Sequence, residues 1–483
     1  MLKKSAKKSF AINMLIMTGT MLLIRIAGMS FNIYFTSVVG ASATGKYHLL
    51  FSAYGFMLTF AVAGTGLAAT RLVSHMGGSK SGACFAVAKC LKVCCLFSAV
   101  ATVVVLSMRQ KLGQLLVGDD TSGIALGILA VSLMPVAVSA VFRGYFLATR
   151  RVGTVTVSQL GEEISQICIT MWLLKLLQHT DYGYISMLGG IAGSCVVAVC
   201  FDLCAYRVYT SGGGAGDMPI PGYRDVLSIS VPVTSAALLR SVLVLAENML
   251  IPRTLSLYGL SDAMGEYGII KGMAIPLIMF PTVFTTSFSQ LLVTEMSERN
   301  AEHKPNGIRY ISGKACGYTL CFGFFVFGAI ALWHKEIASS FYGEPKVGMY
   351  FGLLALLVVP MYLDTVVDGM LKGLNQQMSS LKYNIADSLL RVCLILWLIP
   401  RIGPLGYIAV LYISEVFNLT LSLGRLMKVS GLKFPLEYMV APLIAVLAAG
   451  GFAYLAGVPI FAKVCIYVSV YGTILFFISK HKS

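Results

Sequence analysis

Long apolar stretches separated by short polar links run along the whole chain. Each stretch has roughly 20 residues, the length that an α-helix needs to cross the hydrocarbon core of a bilayer. There are about fourteen, centred near residues 25, 60, 96, 134, 167, 195, 238, 280, 321, 361, 391, 415, 445 and 469. The pattern predicts an all-α polytopic membrane protein with about 14 transmembrane helices, and the lipid bilayer is its first partner.

Composition and charge fit this interpretation. Of 483 residues, 57% are hydrophobic and 12% are charged, whereas a soluble chain carries about 25% charged residues. The net charge of +16 needs no nucleic acid partner, because lysines and arginines concentrate on alternate links, about 24 against about 9. The positive-inside rule then places both termini in the cytoplasm, which requires an even number of spans. We interpret the N-terminal apolar run as a retained first helix, since it is too long for the h-region of a signal peptide.

The sequence carries no pattern of soluble catalysis. It has no HExxH, no Walker loop and no GxSxG, so we expect no enzymatic activity and no cofactor. Twelve cysteines lie in or beside apolar stretches. Cys90 and Cys94 stand one helical turn apart, as do Cys200 and Cys204. This spacing allows a metal pair, but packing of small apolar side chains explains it better, and we expect no metal site.

The two halves of the chain repeat one another. Matches occur in the same order with shifts of 215 to 225 residues, and they are Arg25 with Arg240, Asn32 with Glu247, GKY 45–47 with GEY 265–267, Pro135 with Pro360, Gly144 with Gly369, Glu162 with Asp387, Gln166 with Arg391, and GYI 183–185 with GYI 406–408. Six spans per half is an even number, so both halves should share one topology, as a parallel repeat about the membrane normal. We predict an N-terminal six-helix lobe with its linker over 1–222, a C-terminal six-helix lobe over 223–430, and two additional transmembrane helices over 431–483.

Charged residues inside the apolar stretches are the candidates for a functional site. An arginine at the centre of a span costs at least about 2.5–3.5 kcal/mol on insertion scales, so such residues usually face a polar interior. The candidate cavity residues are Arg25, Asn32, Arg240, Glu247 and Lys271, and a second group contains Glu162, Asp368, Asp387 and Arg391. Cations at these positions favour an anionic cargo, and the fork of an arginine suits a phosphate.

Each cation could instead be neutralised by a neighbour and only fix the packing. This alternative is strongest for Asp387 and Arg391, which stand one turn apart and can pair. It is weakest for Arg25, whose own helix has no acid, while Lys271 could extend to the outer surface. We interpret Arg143 and Lys372 as topology markers at cytoplasmic helix ends.

Several segments resemble a known family. The residues LLIRIAGMSFNIYFTSVVGASATGKYHLLFS at 22–52, SQLGEEISQI at 158–167, ENMLIPRTLSLYG at 247–259, GMAIPLIMFP at 272–281 and IADSLLRVCLILWLIPRIGPLGYI at 385–408 resemble bacterial polysaccharide-biosynthesis and stage V sporulation protein B-like membrane proteins. That family belongs to the multidrug, oligosaccharidyl-lipid and polysaccharide exporter superfamily, and the chain is similar to its lipid II flippases of the MurJ type. The resemblance implies two six-helix lobes around a central cavity that works by alternating access. It also implies a basic cavity for a diphosphate-sugar headgroup and two C-terminal helices that form a groove for a polyprenyl tail. Arg25 matches the family's first-helix arginine, whereas Gln166 stands where the family often has an arginine.

These observations favour a flippase over two alternatives. We expect it to move a polyprenyl-diphosphate-linked oligosaccharide or peptidoglycan precursor from the inner to the outer leaflet of the bacterial cytoplasmic membrane, as a monomer. Coupling to Na⁺, H⁺ or the membrane potential is left open, although an inside-negative potential favours outward movement of an anion. An ion-coupled multidrug exporter would also use acids such as Glu162, Glu247 and Asp368, but such exporters usually have twelve helices. A non-transporting protein of envelope or spore assembly would leave the buried charges without a use.

Overall fold

The structure is a computed structural model, and it describes residues 19, 23–24, 26–76, 80–119, 121–177, 180, 182–210, 222–432, 437–455 and 460–480. Every regular element within these ranges is helical. The chain forms two compact units, Met1–Pro252 and Arg253–Ser483. The boundary between the units lies within one long helix, Tyr223–Leu257. The lobe boundaries at 222/223 and 430/431 come from the sequence repeat and stay a prediction.

The first unit is built from seven helices and most of an eighth within the described ranges. They are α1 (Ile26–Val39), α2 (Ala41–Val62), α3 (Thr65–His75), α4 (Lys80–Leu116), α5 (Thr121–Ala148), α6 (Val152–Leu177), α7 (Ile185–Thr210) and α8 (Tyr223–Leu257). Glycine sets two of the breaks, because Gly40 (φ 85°) and Gly64 (φ 63°) both have positive φ, a conformation that glycine adopts without a steric penalty.

Helix α5 is the centre of the first unit. It packs against α2, α3, α4 and α7. The fully buried side chains Leu126, Leu129 and Leu133 belong to one apolar cluster, and Val141 and Phe146 belong to a second cluster further along the helix. Cys90 and Cys94 lie buried in that second cluster, where they act as small apolar side chains.

The second unit has more broken helices. Its elements are α9 (Ala263–Tyr267), a π-helix (Gly268–Ala274), α10 (Ile275–Met279), α11 (Thr282–Ala301), α12 (Pro305–Phe341), α13 (Pro345–Leu353), a 3₁₀ turn (Ala355–Leu357), α14 (Val358–Gly373), α15 (Gln377–Ile402), α16 (Pro404–Ser430), α17 (Glu437–Leu455) and α18 (Ile460–Lys480). The chain bends by 58° between Ala263–Met279 and Thr282–Ala301, and by 44° between Pro345–Leu353 and Ala355–Gly373.

The C-terminal helices α17 and α18 are part of the core of the second unit. Ala445 and Ala449 of α17 join the apolar cluster of α12 and α14. Two tyrosines of α18 donate hydrogen bonds to carbonyl oxygens of α12, Tyr467 to Phe325 at 2.9 Å and Tyr471 to Cys321 at 2.6 Å. The predicted additional helices therefore pack on α12.

The repeat is visible in the packing within each unit. A Cβ atom on Gly144 of α5 would lie 2.3 Å from the carbonyl oxygen of Gly66 in α3, so the two backbones are in contact. In the second unit, Gly369 of α14 contacts Ser289 of α11 in the same way, with the Ser289 carbonyl oxygen 3.0 Å from a Cβ atom on the glycine. The matched glycines thus serve one purpose, which is a close helix crossing.

The membrane assignment is confirmed in its coarser form. Seven described helices are long and apolar enough to cross a bilayer, or up to nine if each bent pair is one span. Three shorter apolar helices lie at Ile26–Val39, Met439–Ala453 and Ala462–Ile474. The number fourteen, the arrangement of the lobes and the side on which the termini lie stay predictions. Residues 1–18 and 481–483 are outside the described residues.

Candidate functional site

Four of the five predicted cavity residues lie within the described residues, and Arg25 lies outside them. Asn32 is on α1, and Arg240 and Glu247 are on α8 in the first unit, while Lys271 belongs to the second unit. The structure therefore describes each of these residues within its own unit.

Asn32 presents a polar atom that has been removed from water. Its Oδ1 is buried, and it has no hydrogen-bond partner among the described residues. A buried amide oxygen without a partner costs about 1–3 kcal/mol. An unmet acceptor of this kind is typical of a position that binds water or a ligand.

Helix α8 contacts α2 through polar side chains. The amide of Asn248 donates to Ser52 Oγ at 3.0 Å, and the hydroxyls of Ser241 and Thr59 lie 2.9 Å apart. Both pairs are spaced by seven residues on each helix, so they lie on one face and the two helices run antiparallel. Only 6% of the most apolar 18-residue stretch of α8 is buried. Most of α8 is therefore not buried.

The two charged residues of α8 have different surroundings. Glu247 is 5% exposed, whereas Arg240 is exposed. No carboxylate oxygen within the described part of the chain lies within 4 Å of the Arg240 guanidinium. The exposed guanidinium is thus open to an anion that reaches this face of α8.

Lys271 occupies the middle of the π-helix Gly268–Ala274 and is half-buried. π-Helical turns are rare and are frequent at functional sites. The residues on both sides of Lys271 are fully enclosed, with Ile270 0% and Met273 3% exposed. The lysine is therefore the polar position of an otherwise apolar irregular turn.

Three helices of the first unit build a partly buried ion cluster. Arg143 Nη2 of α5 lies 2.5 Å from Glu162 Oε2 of α6, and its Nε lies 3.5 Å from Asp202 Oδ2 of α7. Asp202 is completely buried and also accepts a hydrogen bond from Ser139. The interpretation of Arg143 as a topology marker stays a prediction, and this guanidinium also pairs with two acids inside the unit.

The second unit has a corresponding cluster, in which the predicted pairing of Asp387 and Arg391 is confirmed. Arg391 Nη2 lies 2.9 Å from Asp387 Oδ2. Ser414 of α16 donates to Asp387 and accepts from Arg391 Nε at 2.7 Å. This closed triad supports the packing role that was weighed for the pair.

Two further acids of α14 lie near this triad in the second unit. Asp368 pairs with Lys372 at 2.5 Å and accepts a hydrogen bond from Ser380 of α15. Asp364 accepts from Asn418 Nδ2 of α16 at 3.0 Å, and its other oxygen is buried without a hydrogen bond among the described residues. Lys372, which we interpreted as a topology marker, is thus also an ion-pair partner.

The arginine stands at a different position of the repeat in each cluster. Position 143 plus 225 is 368, so the arginine of α5 corresponds to an aspartate of α14. Gln166 of α6 corresponds to Arg391 of α15 by the same shift. The missing arginine at position 166 is therefore explained, because Arg143 supplies the positive charge for Glu162 from a different helix.

Metal ligation has no support within the described residues. No group of three or more histidine, cysteine, aspartate or glutamate side chains there could hold a metal ion, and the cysteines are free thiols.

Comparison with known proteins assigns the family. A sequence profile described as "Polysaccharide biosynthesis protein" matches residues 10–269, which is more than half of the chain. The chain belongs to the polysaccharide biosynthesis protein family. It is 20% identical over 418 residues to stage V sporulation protein B of Bacillus subtilis (strain 168), with 83% of this chain and 80% of the relative covered.

Solved structures agree on the fold. The lipid II flippase MurJ in an inward closed conformation superposes with a TM-score of 0.75 at 13% identity, over 97% of this chain and 99% of that chain. A multidrug resistance MATE family transporter of the MOP superfamily, in an inward-facing conformation, gives a TM-score of 0.68 at 13% identity, over 87% of this chain and 99% of that chain. This member of the polysaccharide biosynthesis protein family is thus a multi-pass membrane protein with the fold of the multidrug, oligosaccharidyl-lipid and polysaccharide exporter superfamily.

Proposed function

We propose that this protein is a flippase for a polyprenyl-diphosphate-linked oligosaccharide or peptidoglycan precursor. It moves the cargo from the inner to the outer leaflet of the bacterial cytoplasmic membrane by alternating access, as a monomer with fourteen spans and both termini in the cytoplasm. The family membership and the similarity to a flippase and to a transporter support transport and give no support to an enzymatic role.

One observation carries the choice of a lipid-linked cargo. The likeness to the lipid II flippase leaves 3% of the chain uncovered, which is about 14 of 483 residues, whereas the likeness to the MATE transporter leaves 13% uncovered. Residues 431–483, with α17 and α18, are too many to fit in the 3%. The flippase likeness thus extends into the C-terminal pair, which is the part of the chain that we assign to the polyprenyl tail.

The diphosphate is the part of the cargo that the charged residues would bind. We assign this role to Arg25 and Arg240, supported by Asn32 and Lys271, since arginine binds phosphate through two parallel N–H donors. The exposed guanidinium of Arg240 supports the assignment, and Asn32 can donate to a phosphate oxygen only through its Nδ2 amide group. Glu247 is the acid on the same helix face as Arg240.

A multidrug exporter is the second candidate, because one observation favours it. The acids Asp364, Asp368 and Asp387 lie on neighbouring helices of the second unit together with Glu415, where Lys372 pairs with Asp368 and Arg391 with Asp387. An excess of acid suits a coupled cation. Coupling to Na⁺ or H⁺ is compatible with both candidates, so the cargo has to be tested directly.

The test is transport by the purified full-length protein in liposomes. We expect it to flip a fluorescent polyprenyl-diphosphate sugar and to leave an organic cation dye untransported. Arg25→Met and Arg240→Met should abolish flipping while their melting temperatures stay within about 2 °C of wild type, and Arg25→Lys should restore only part of the activity, because an ammonium lacks the fork. Arg309→Met, which removes an exposed charge from α12, is the matched control and should flip normally.

Two results would contradict the proposal. Dye transport without lipid flipping would support the exporter, and full flipping by Arg25→Met would make that arginine structural. Deletion of 434–483 should also abolish flipping, and a melting curve is needed there because α17 and α18 contribute to the core around α12.

A further inference from the structure

The corner between α5 and α6 in the first unit borders a surface cavity. The cavity has a volume of about 560 Å³ and lies between the start of α6 and the end of α7. Its lining includes Arg150, Arg151, Thr154, Val157, Phe201 and Tyr209. None of these residues belongs to the ion clusters or to the proposed cargo site.

The rim of the cavity is basic and held in a fixed geometry. The guanidinium of Arg151 lies 3.5 Å from the centre of the Tyr209 ring, and the Tyr209 hydroxyl lies 3.3 Å from Thr154 Oγ1. Stacking holds the plane of a guanidinium but leaves its N–H edge available. Among the described residues no carboxylate lies within 4 Å of Arg150 or Arg151, so two positive charges stand together without an acid.

The backbone conformation of Arg150 has a steric cost that folding does not require. Arg150 has φ 59°, and the Arg151 N–H closes the end of α5 by donating to the Phe146 carbonyl at 2.8 Å. The second unit repeats this turn 225 residues later with Asn375 at φ 58° and Gln376. Asparagine tolerates the left-handed region, whereas arginine pays a steric penalty there.

At the same corner of the second unit, the glutamine forms hydrogen bonds with an arginine. Gln376 Oε1 accepts from Arg425 Nε at 3.0 Å and from Nη2 at 2.6 Å. The first unit has Arg151 at the position of Gln376, and Arg151 lines the cavity. A strained arginine beside a second arginine, at a turn where the repeat has an asparagine and a glutamine, indicates a requirement other than folding.

An apolar trough leads away from the basic rim along α6. Gly153, Val157 and Gly161 stand four residues apart on one exposed face, and a Cβ atom on either glycine would meet no atom within 4 Å. Val157 is 53% exposed, and Phe201 of α7 borders the same space and is 39% exposed. The trough is therefore open, apolar and continuous with the surface of a helix in a membrane protein.

We propose that this surface is a binding groove for one anionic phospholipid of the bilayer. Arg150 and Arg151 bind the phosphodiester, and an acyl chain lies in the trough over Gly161. The positive charges of the two arginines favour an anionic headgroup, since basic pockets between transmembrane helices recognise such lipids. The apolar trough favours a lipid over a free phosphate, because a soluble anion has no apolar surface to bury against Val157 and Phe201.

Binding to the full-length protein in detergent micelles tests the proposal by native mass spectrometry. The probes are phosphatidylglycerol, phosphatidylcholine with the same chains, and inorganic phosphate. The variant Arg150→Asn/Arg151→Gln should fold, because asparagine relieves the strain at 150, and it should bind phosphatidylglycerol at least about tenfold more weakly. Arg309→Gln/Lys314→Gln removes the same number of charges, including a lysine 4.6 Å from the centre of the Tyr310 ring, and should leave phosphatidylglycerol binding unchanged.

The acyl trough has its own variant. Gly161→Leu fills open space and replaces glycine by a better helix former, so the protein should stay folded while the affinity for phosphatidylglycerol falls severalfold. Gly424→Leu on α16, where a side chain also meets nothing within 4 Å, is the matched control and should bind like wild type.

Four outcomes would overturn the proposal. They are equal binding of the two phospholipids, an unchanged affinity in the double arginine variant, competition by inorganic phosphate at the concentration of the lipid, and displacement of phosphatidylglycerol by an equal concentration of polyprenyl diphosphate. The last result would reassign the groove to the cargo lipid.

Discussion

Lys46 and Glu266 stand at the same position of the two repeats with opposite charges, and each forms an ion pair within its own unit. Lys46 Nζ lies 2.6 Å from Asp119 Oδ2, and Glu266 Oε2 lies 2.9 Å from Lys346 Nζ. The partners Asp119 and Lys346 are 227 residues apart, outside the shifts of 215 to 225 that define the repeat. The matched positions 46 and 266 therefore both carry an ion pair, with the sign of the charge exchanged.

The exchange predicts that the first pair can be reversed. Lys46→Glu places two carboxylates together and should destabilise the protein by about 1 kcal/mol. Asp119→Lys should cost more, because it places two ammonium groups together and also removes the carboxylate that accepts from the Ser122 N–H at the start of α5. The double variant Lys46→Glu/Asp119→Lys should recover the electrostatic part of the loss but not the cap. Chemical denaturation in detergent measures the coupling, and additive losses in the double variant would mean that the ion pair contributes no energy.

The carboxyl of Asp119 predicts a pH dependence. Burial opposes its ionisation, but hydrogen bonds from Lys46, the Ser122 N–H and Thr121 outweigh burial and lower the pKa of Asp119. A lowered pKa stabilises the folded state above the ordinary carboxyl pKa, and this contribution is lost as the pH falls below about 4. The melting temperature of wild type should exceed that of Asp119→Asn at pH 7 and approach it at pH 3.

Two variants of Asp119 distinguish the contribution of its helix cap from the contribution of its charge. Asparagine can still accept from the Ser122 N–H at the start of α5, so Asp119→Asn loses only the ion pair, whereas Asp119→Ala also loses the cap and should be about 1 kcal/mol less stable. Equal stabilities of the two variants would show that the cap is unimportant.

Removal of Arg143 should be among the most damaging changes in the first unit. It leaves Glu162 and the fully buried Asp202 without a positive charge. We expect Arg143→Met to cost toward the lower end of the about 3–5 kcal/mol measured for broken buried pairs, because the Arg143 side chain is 22% exposed. Arg143→Met/Glu162→Gln/Asp202→Asn should recover much of this loss in a melting assay, and no recovery would contradict the electrostatic explanation.

The helix crossings predict that alanine at the two matched glycines destabilises the protein in different ways. Gly144→Ala meets the backbone carbonyl of Gly66 at 2.3 Å, so the helices must separate, and we expect a loss of about 1–3 kcal/mol. Gly369→Ala first meets the side chain of Ser289, so the additional change Ser289→Ala should restore part of its stability. Thermal melting of the four variants, Gly144→Ala, Gly369→Ala, Ser289→Ala and Gly369→Ala/Ser289→Ala, checks this. A Gly369→Ala that Ser289→Ala does not improve would contradict the contact.

Local features of the site could be predicted from the sequence, and contacts between distant helices could not. The Asp387–Arg391 pair was predictable because both residues are on one helix, one turn apart. The Arg143 cluster was not, since its members come from three helices and Arg143 stands near a helix end, where a basic residue usually marks topology. Asp202 gave one signal, an acid within the apolar run of residues 185–206, and that signal was missed.

Backbone irregularities also escaped the apolar pattern. A hydropathy pattern does not distinguish an α turn from a π turn, so Gly268–Ala274 could not be located, although Gly272 and Pro276 weaken a regular helix there. The left-handed conformation of Arg150 was also unpredictable, because no amino-acid preference places an arginine in that region.

The π-helix around Lys271 holds one more residue than an α-helical turn of the same height. A turn with a surplus residue can pass that surplus to the next turn, and each residue handed over rotates about 100° around the axis. Such a shift would turn Lys271 to another side of its helix while Ala263 and Met279, at the two ends of this stretch, keep their places. A π turn at this position is thus a means by which one ammonium group would be reoriented with no change in the length of the segment.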